Sequence, residues 1–275
     1  IEKFKKFMNT KEKLISGNVK TVFEKPVSIK LENVSFTYPG NDKPTLKNIN
    51  LEIKPYQKIA LVGYNGAGKT TLTNLMLRLY DVSEGRITVD GTDIKEWDIP
   101  SYHKNFAAVF QDFSLFGATV GENVAMNNNP DKQRVLSALE ESNFKKELTK
   151  GTDTILLREF DDSGLSLSGG EAQKVAVARA FYKQCPFAIL DEPSANLDPV
   201  SEYALNEAMS RAAADKTVIF ISHRLSTTVM ADIIYMLENG EIVESGSHEE
   251  LMALGGKYAY MFNLQAEKYQ ESHEN

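Results

Sequence analysis

The residues from Gly63 to Thr71 have the types and the spacing of a phosphate-binding loop. They read Gly63-Tyr64-Asn65-Gly66-Ala67-Gly68-Lys69-Thr70-Thr71 and fit the pattern G-x-x-x-x-G-K-[ST]. The glycines allow the backbone to curl so that several N–H groups point at one anion. We expect the Lys69 ammonium to reach the β- and γ-phosphates of a nucleotide, and the Thr70 hydroxyl to bind Mg²⁺.

Two regular elements must flank such a loop. The apolar residues 58–62 predict a buried strand that runs into it, and residues 71–80 predict a helix that leaves it, with Leu72, Leu75, Met76 and Leu79 on one face. The N-terminus of that helix adds partial positive charge. The alternative is a chance glycine turn before a core helix, and the strand–loop–helix order argues against it.

Two adjacent carboxylates end another apolar strand. Residues 187–190 are apolar, and Asp191 and Glu192 follow them directly. A carboxylate at the end of a strand beside a phosphate-binding loop can hold Mg²⁺ through its water shell. Its neighbour projects differently and can orient or deprotonate an attacking water. The alternative is a strand that exits into a charged turn.

A second anion-binding element is indicated by Leu167-Ser168-Gly169-Gly170-Glu171, which precedes a predicted helix to about residue 183. Ser168 is a good N-cap, and the N–H groups behind it are exposed to an anion. This element lacks a lysine, so it makes sense as a half-site that closes on the nucleotide of another molecule. A capped helix after a flexible loop is the alternative, and the two stay open at this point.

Composition limits the class of protein. With 42% hydrophobic and 25% charged residues the chain has the composition of a soluble globular protein, and its net charge of −7 argues against a duplex nucleic-acid binder. Cys185 is the only cysteine, so no disulfide can form within the chain, which suits the cytosol. No apolar run is long enough to predict a membrane span. Because the sequence starts at Ile1 without Met, we expect it to be a fragment.

The order of the patterns predicts the architecture. Alternating residues 27–38, residues 46–53 and a hairpin around Asp90-Gly91 predict antiparallel strands. Residues 112–183 are mostly helical in pattern, with helices predicted at 119–126, 130–142 and 144–149 and a polar loop at 151–167. Pro130 is predicted at a helix start. Residues 1–17 predict a basic amphipathic helix, either near a membrane surface or solvated and docked on the core.

These motifs, in this order, resemble the nucleotide-binding domain of ATP-binding-cassette (ABC) transporters over residues 27–265. Residues 167–171 resemble the family signature, and residues 187–191 resemble its Walker B motif, with Glu192 as the catalytic carboxylate. The resemblance implies an α/β fold, in which a P-loop NTPase core with a mostly parallel sheet carries an antiparallel β subdomain and an inserted α-helical subdomain. It implies a linker at residues 1–23 and a cassette at residues 24–275, with the helical subdomain at 111–183.

The resemblance also implies residue roles. Tyr38 resembles the aromatic residue that stacks on adenine, Gln111 the glutamine that touches Mg²⁺ and the attacking water, and His223 the histidine that hydrogen-bonds the γ-phosphate. Residues 194–198 resemble the loop that contacts the partner subunit. Glu192, His223, Gln111 and Lys69 are the implied catalytic residues, and Thr70, Gln111 and Asp191 are the implied Mg²⁺ ligands. The implied ATP contacts are Tyr38, Gly63, Asn65, Gly66, Ala67, Gly68, Lys69, Thr70, Thr71, Ser168, Gly169 and Gly170.

Within the family, residues 38–40, 221–226 and 238–251 resemble the exporter type. Exporters usually carry D-T-x-V-G-E-x-G before the signature. Here Gly164 lies ten positions after Thr154, against six in that pattern, and Asp162 stands at the glutamate position. The loop at 155–162 is therefore longer and more acidic, which puts its contacts with a membrane domain in doubt.

The expected function is ATP hydrolysis coupled to export, in which ATP drives the dimerisation of two cassettes. ATP and Mg²⁺ are the expected ligands, and the cytoplasmic face of the cell membrane is the expected location. The expected partners are a second nucleotide-binding domain, identical or different, and a transmembrane domain; no nucleic acid is expected. A soluble ABC ATPase acting on DNA or ribosomes is the alternative. The DNA-repair type places a long coiled coil between Lys69 and Ser168, but only 99 positions separate them here, without heptads. A non-hydrolysing regulatory subunit is disfavoured because Glu192, His223 and the signature are present.

Overall fold

The computed structural model describes residues 14–157, 164–192, 202–204, 207, 215–222 and 228–271, with side chains described as far as residue 267. The predicted helix at 1–17 lies mostly outside these residues, and His223 and the loop 194–198 lie entirely outside them. The described strands are β1 Ile29–Phe36, β2 Leu46–Ile53, β3 Lys58–Val62, β4 Glu84–Val89, β5 Thr92–Asp93, β6 Phe106–Val109, β7 Phe187–Asp191, β8 Thr217–Ile221, β9 Ile233–Glu238 and β10 Glu241–Gly246. The described α-helices are α1 Lys69–Met76, α2 Ile99–Lys104, α3 Val120–Ala125, α4 Lys132–Glu141, α5 Gly169–Tyr182, α6 His248–Leu254 and α7 Lys257–Glu271.

An antiparallel sheet is formed by the N-terminal strands in the order β2-β1-β4-β5. Its inward side chains, such as Ile29, Leu31 and Ile53, are buried, as the alternating pattern predicts. The register of β1 against β2 shifts between Leu31 and Val34, where Asn33 has a φ of 50°. This bulge accounts for the break in alternation that the sequence shows at the same point.

The second sheet holds the strands that lead to the phosphate-binding loop and to the carboxylate pair, in the order β10-β9-β3-β8-β7-β6. β6, β7, β8, β3 and β9 are parallel, and β10 pairs antiparallel with β9. β7 and β8 are buried along their whole length, which explains why they read as unbroken apolar runs. Because parallel strands end at the same edge, the loop after β3 and the carboxylates after β7 meet there.

Helices α3, α4 and α5 follow β6 and precede β7, and they share a core that includes Val124, Val135 and Val175. The predicted fold class is therefore confirmed: a mostly parallel α/β core, an antiparallel β part and an inserted helical part. Both α3 and α5 begin with a capping box, at Thr119–Glu122 and Ser168–Glu171.

Several predicted helix bounds are wrong. Residues 144–149 are not helical; Phe144 and Leu148 instead pack their side chains into the core of the helical part. The spacing of four between Phe144 and Leu148 is typical of a helix, but here the two side chains attach an irregular segment to the core. The helix after the phosphate-binding loop ends at Met76, because Arg78 takes a φ of 51°, and Leu79 is 42% exposed rather than on a buried face.

Pro130 was expected at a helix start, but the N-cap of α4 is Asp131, so the proline precedes the cap. The carboxylate of Asp131 accepts the N–H of Arg134 at 3.1 Å, which explains why the helix starts one residue after it. β6 ends at Val109, two positions before Gln111. No helix in the described part of the chain is both long and apolar enough to cross a membrane.

Candidate active site

The loop between β3 and α1 has the backbone that the glycine spacing predicts. Gly63 has a φ of 143°, and a Cβ there would lie 2.2 Å from the carbonyl oxygen of Leu237. Gly68 has a φ of 107°, and a Cβ there would lie 2.6 Å from Cδ2 of Leu46. The backbone contact at Gly63 leaves no room for a side chain, and at Gly68 the positive φ favours glycine. At Gly66 a Cβ would meet nothing within 4 Å, so this part of the loop is open to an approaching ligand.

Lys69 is the cation inside this loop. It is 6% exposed, and its ammonium donates to the carbonyl oxygens of Gly63 at 2.7 Å and Tyr64 at 3.2 Å. Burial lowers the pKa of Lys69, and the charges of Glu192 and Asp191 oppose that shift. Among the described residues this buried ammonium donates to loop carbonyls, an arrangement well suited to meet a phosphate.

Asp191 reaches the loop from the end of β7. Its Oδ2 accepts a hydrogen bond from the Thr70 hydroxyl at 3.0 Å, although 121 positions separate the two residues. Burial raises the pKa of Asp191; the hydrogen bond from Thr70 lowers it, and the neighbouring charge of Glu192 raises it further. A cation beside this carboxylate would favour its charged form.

Glu192 follows Asp191 in a strained backbone conformation, with a φ of 48°. Its N–H donates to the Ile221 carbonyl at 2.9 Å, which ties it to the end of β8. Its carbonyl accepts the side-chain amide of Gln173, from α5, at 3.3 Å. A non-glycine residue at positive φ is uncommon and concentrates at functional sites. Gln173 could not be singled out from the sequence, because the contact depends on the packing of α5 against the sheet.

A cavity of about 250 Å³ lies between the phosphate-binding loop and Glu192. It is lined by Thr45, Asn65, Gly66, Gly68, Lys69, Thr70, Thr71, Gln111, Glu192 and Ile221. The cavity therefore brings two predicted residues to the phosphate-binding loop. Gln111 lies two positions after the end of β6, and Glu192 follows β7 directly. Thr45 was missed by the sequence reasoning, because it precedes β2 and carries no motif.

Tyr38 lies beside the start of α1. Its hydroxyl is 3.1 Å from the Thr71 hydroxyl, and its ring packs edge-on against Phe36 and Tyr80, with centroids 4.8 and 5.2 Å away. The ring is thus held by an aromatic cluster next to the nucleotide loop. Stacking on adenine stays a prediction for this residue.

The signature segment forms a separate feature at the N-terminus of α5. Ser168 and Glu171 cap this helix reciprocally, and a Cβ added at Gly169 would meet nothing within 4 Å. Ser168, Gly169 and Gly170 are not among the described residues that line the cavity around Lys69. Within one chain the two predicted anion sites are therefore distinct.

The family described as ABC transporter matches residues 46–195, which include the phosphate-binding loop, the signature and both carboxylates. The chain belongs to the ABC transporter family. The family expected from the motifs is thereby confirmed, and the match supports the use of ATP by this domain.

Named relatives are similar to this ABC chain over most of its length. It is 42% identical over 240 residues to an ATP-dependent lipid A-core flippase of Burkholderia orbicola (strain AU 1054), covering 86% of this chain and 40% of that protein. A protein of the same name from Methylobacillus flagellatus is 42% identical over 243 residues, with 86% and 41% covered. The chain thus spans about two fifths of the length of these relatives.

A solved structure supports the same fold. A bacterial Atm1-family ABC exporter with ATP bound matches with a TM-score of 0.85 at 34% identity, over 96% of this chain and 46% of that chain. A match at this level covers both sheets and the helical part. The exporter type inferred from residues 38–40, 221–226 and 238–251 therefore agrees with the type of protein that this structure represents.

Proposed function

We propose that this chain is the ATP-hydrolysing motor of an ABC exporter, in which ATP brings two cassettes together and drives transport through a membrane domain. The observation that carries the proposal is the hydrogen bond from Thr70 to Asp191 at 3.0 Å, next to the cavity that Thr70 lines together with Lys69, Gln111 and Glu192. It joins a phosphate-binding loop to a pair of carboxylates, which is the minimum needed for phosphoryl transfer to water. The names of the flippases and of the exporter support the transport role.

The loop and its lysine hold the phosphates in this proposal. The N–H groups from Gly66 to Thr71 and the Lys69 ammonium would surround the β- and γ-phosphates. The hydroxyl of Thr70, the carboxylate of Asp191 and the side-chain oxygen of Gln111 suit Mg²⁺, which prefers oxygen ligands and is commonly bound by one or two carboxylates together with phosphates. Mg²⁺ would supply charge neutralisation at those phosphates.

Glu192 is the proposed general base. It lies on the same cavity as Lys69, and its backbone is fixed on one side by Ile221 and on the other by Gln173. A carboxylate held in this way can accept a proton from water while Gln111 orients that water. His223, proposed to sense the γ-phosphate, lies outside the described residues.

The signature segment is proposed to act on the ATP of the partner cassette. Ser168, Gly169 and Gly170 stand apart from the chain's own cavity and have open space at Gly169. The helix N-terminus behind them attracts anions. Two cassettes arranged head to tail would therefore enclose two ATP molecules, each between one loop and one signature. The second cassette is either another copy or a different chain.

The domain bounds and the location of the cassette follow from the proposal that the protein is an exporter. We propose residues 24–275 as the cassette, residues 111–183 as its helical subdomain and residues 1–23 as the linker from a membrane domain, with the cassette at the cytoplasmic face of the membrane. The described part of the linker is tied to the core, since the N–H groups of Gly17 and Asn18 donate to the carbonyls of Trp97 and Glu96, each at 2.8 Å. A linker held in this way could transmit movement of the core.

The Glu192→Gln variant tests the proposal. The amide keeps the size of the side chain but cannot accept a proton at neutral pH, so hydrolysis should fall by roughly 10²–10⁴-fold. ATP binding should survive, because Lys69, Thr70 and Asp191 are untouched. The variant should dimerise with ATP and stay monomeric with ADP, as measured by analytical ultracentrifugation. Glu96→Gln, on an exposed side chain away from the cavity, is the control and should hydrolyse ATP normally.

A second substitution separates the two half-sites. Ser168→Arg in the Glu192→Gln variant should block the dimer by crowding the signature, while ATP still binds to the loop. A Glu192→Gln protein that stays monomeric with saturating ATP, both alone and mixed with a candidate partner cassette, would refute the proposed ATP-driven dimer. Undiminished hydrolysis by Glu192→Gln would remove Glu192 as the base.

A further inference from the structure

Lys146 is positioned beside the signature helix by its own neighbours. It belongs to the irregular segment after α4, between Phe144 and Leu148, whose side chains pack into the same core as Val175 and Ala178 of α5. The two apolar anchors fix the segment against α5 on either side of the lysine. The ammonium of Lys146 then reaches the carbonyl oxygen of Ser166 at 3.0 Å and Oε2 of Glu171 at 2.8 Å.

The oxygen that Lys146 contacts is the one that caps the helix. Oε2 of Glu171 also accepts the N–H of Ser168 at 2.7 Å, and the hydroxyl of Ser168 accepts the N–H of Glu171 at 3.3 Å. Lys146 and the N–H of the N-cap residue Ser168 therefore donate to the same oxygen of Glu171. The hydrogen bond from Lys146 lowers the pKa of Glu171 and burial opposes it, so this side chain is a carboxylate at neutral pH.

A carboxylate at this point creates an electrostatic conflict. The negative charge of Glu171 suits the partial positive charge of the helix N-terminus. In the proposed function the same N-terminus must also receive the γ-phosphate of the partner's ATP, and two negative charges at one helix end repel each other. A neutral capping side chain would cap equally well without that repulsion, since glutamine also serves in a capping box.

We propose that Lys146 is a positioning residue that neutralises Glu171, so that the capped signature can accept the partner's ATP. This inference rests on the proposed function, since it assumes that two cassettes close on ATP. Lys146 does not touch the nucleotide in this proposal; it acts through Glu171. A mere structural tie between the two segments is the competing explanation, and it predicts a different result when Glu171 is changed as well.

The test measures ATP-driven dimerisation in the Glu192→Gln background by analytical ultracentrifugation. Adding Lys146→Met leaves an uncompensated carboxylate at each of two half-sites, and dimerisation should weaken roughly 4- to 25-fold, about 2- to 5-fold for each half-site. Adding Glu171→Gln to Lys146→Met removes that carboxylate and should restore dimerisation to within about twofold of the parent. Lys146→Arg keeps the charge and should match the parent.

The neighbouring lysine is a matched control. Lys145 is exposed, and Lys145→Met changes the net charge of the chain by the same amount. It should leave dimerisation unchanged. ATP binding to the loop, measured by calorimetry on each variant, should equal that of the parent, because Lys146 does not line the cavity around Lys69.

Each result of the dimerisation test contradicts a different step of the proposal. If Lys146→Met dimerises like the parent, or if Lys145→Met weakens the dimer as much, the inference is wrong. If Glu171→Gln fails to restore the Lys146→Met dimer, Lys146 is a structural tie and the charge argument is wrong. If the Glu192→Gln parent itself fails to dimerise with ATP, the proposed function fails, and this inference fails with it.

Discussion

Arg78 is buried where α1 ends, and its replacement should destabilise the domain far more than the replacement of an exposed arginine. The residue is 1% exposed. Its guanidinium donates to the carbonyl oxygens of Trp97 at 2.7 Å and Ile15 at 2.6 Å, and to the Asp81 carboxylate at 3.3 Å. It therefore connects the helix that begins at Lys69 to the described part of the N-terminal linker.

The expected size of the effect comes from these contacts. A hydrogen bond to a charged group contributes about 1.5–3 kcal/mol, so the two short carbonyl contacts give roughly 3–6 kcal/mol. The Asp81 contact adds less than about 1 kcal/mol, because that carboxylate is partly exposed. Arg78→Met also removes the cost of burying a charge, so we expect a net loss of about 2–4 kcal/mol. At about 2–4 °C for each kcal/mol, Tm should fall by roughly 4–16 °C.

Arg86 provides the matched control. Its Nε lies 2.6 Å from Oε2 of Glu32, closer than Arg78 is to Asp81, but its side chain is 62% exposed. Arg86→Met should therefore cost much less stability than Arg78→Met, because ion pairs in contact with solvent contribute little. Thermal unfolding by circular dichroism, without nucleotide, compares the two variants. Equal falls in Tm, or a larger fall for Arg86→Met, would refute the argument that burial and carbonyl contacts decide the effect.

Two further predictions concern nucleotide binding. Lys69→Ala should weaken ATP binding by about 10- to 150-fold, because one charge-assisted contact to phosphate is lost; calorimetry measures it, Lys95→Ala on an exposed lysine is the control, and unchanged affinity would remove the assigned role of Lys69. Tyr38→Ala should weaken ATP binding by about 5- to 150-fold, since stacking on a base contributes about 1–3 kcal/mol. Tyr38→Phe should bind almost as the parent does, because it keeps the ring; if it binds as weakly as Tyr38→Ala, the hydroxyl contact with Thr71 matters instead of the ring face.

Local chemistry made much of this chain predictable. The positive φ angles at Gly63 and Gly68 suit glycine, which has no Cβ, and the buried runs of β3, β7 and β8 can be recognised as apolar stretches. The bulge at Asn33 and the hairpin at Asp90-Gly91 also follow from residue type and alternation. Such features depend on near neighbours in the chain, so the sequence contains their cause.

Helix ends and irregular segments were less predictable. The spacing of Phe144 and Leu148 suits a helix, yet both side chains are anchors in the core of the helical part. Leu79 fits the apolar face of the helix after the loop, but Arg78 ends that helix because its guanidinium has partners at Trp97 and Ile15. In each case distant residues decide, and spacing along the chain does not reveal them.

The sequence by itself determined the nucleotide loop, the carboxylate pair, the signature and the family, because each is a short run whose chemistry depends on its own spacing. Only the tertiary structure decided which groups meet. Thr70 contacts Asp191 because β3 and β7 end at one edge of the sheet, and Lys146 contacts Glu171 because Phe144 and Leu148 hold its segment against α5. These contacts join residues far apart in the chain, and the free energy that selects them comes from burying the surfaces between them.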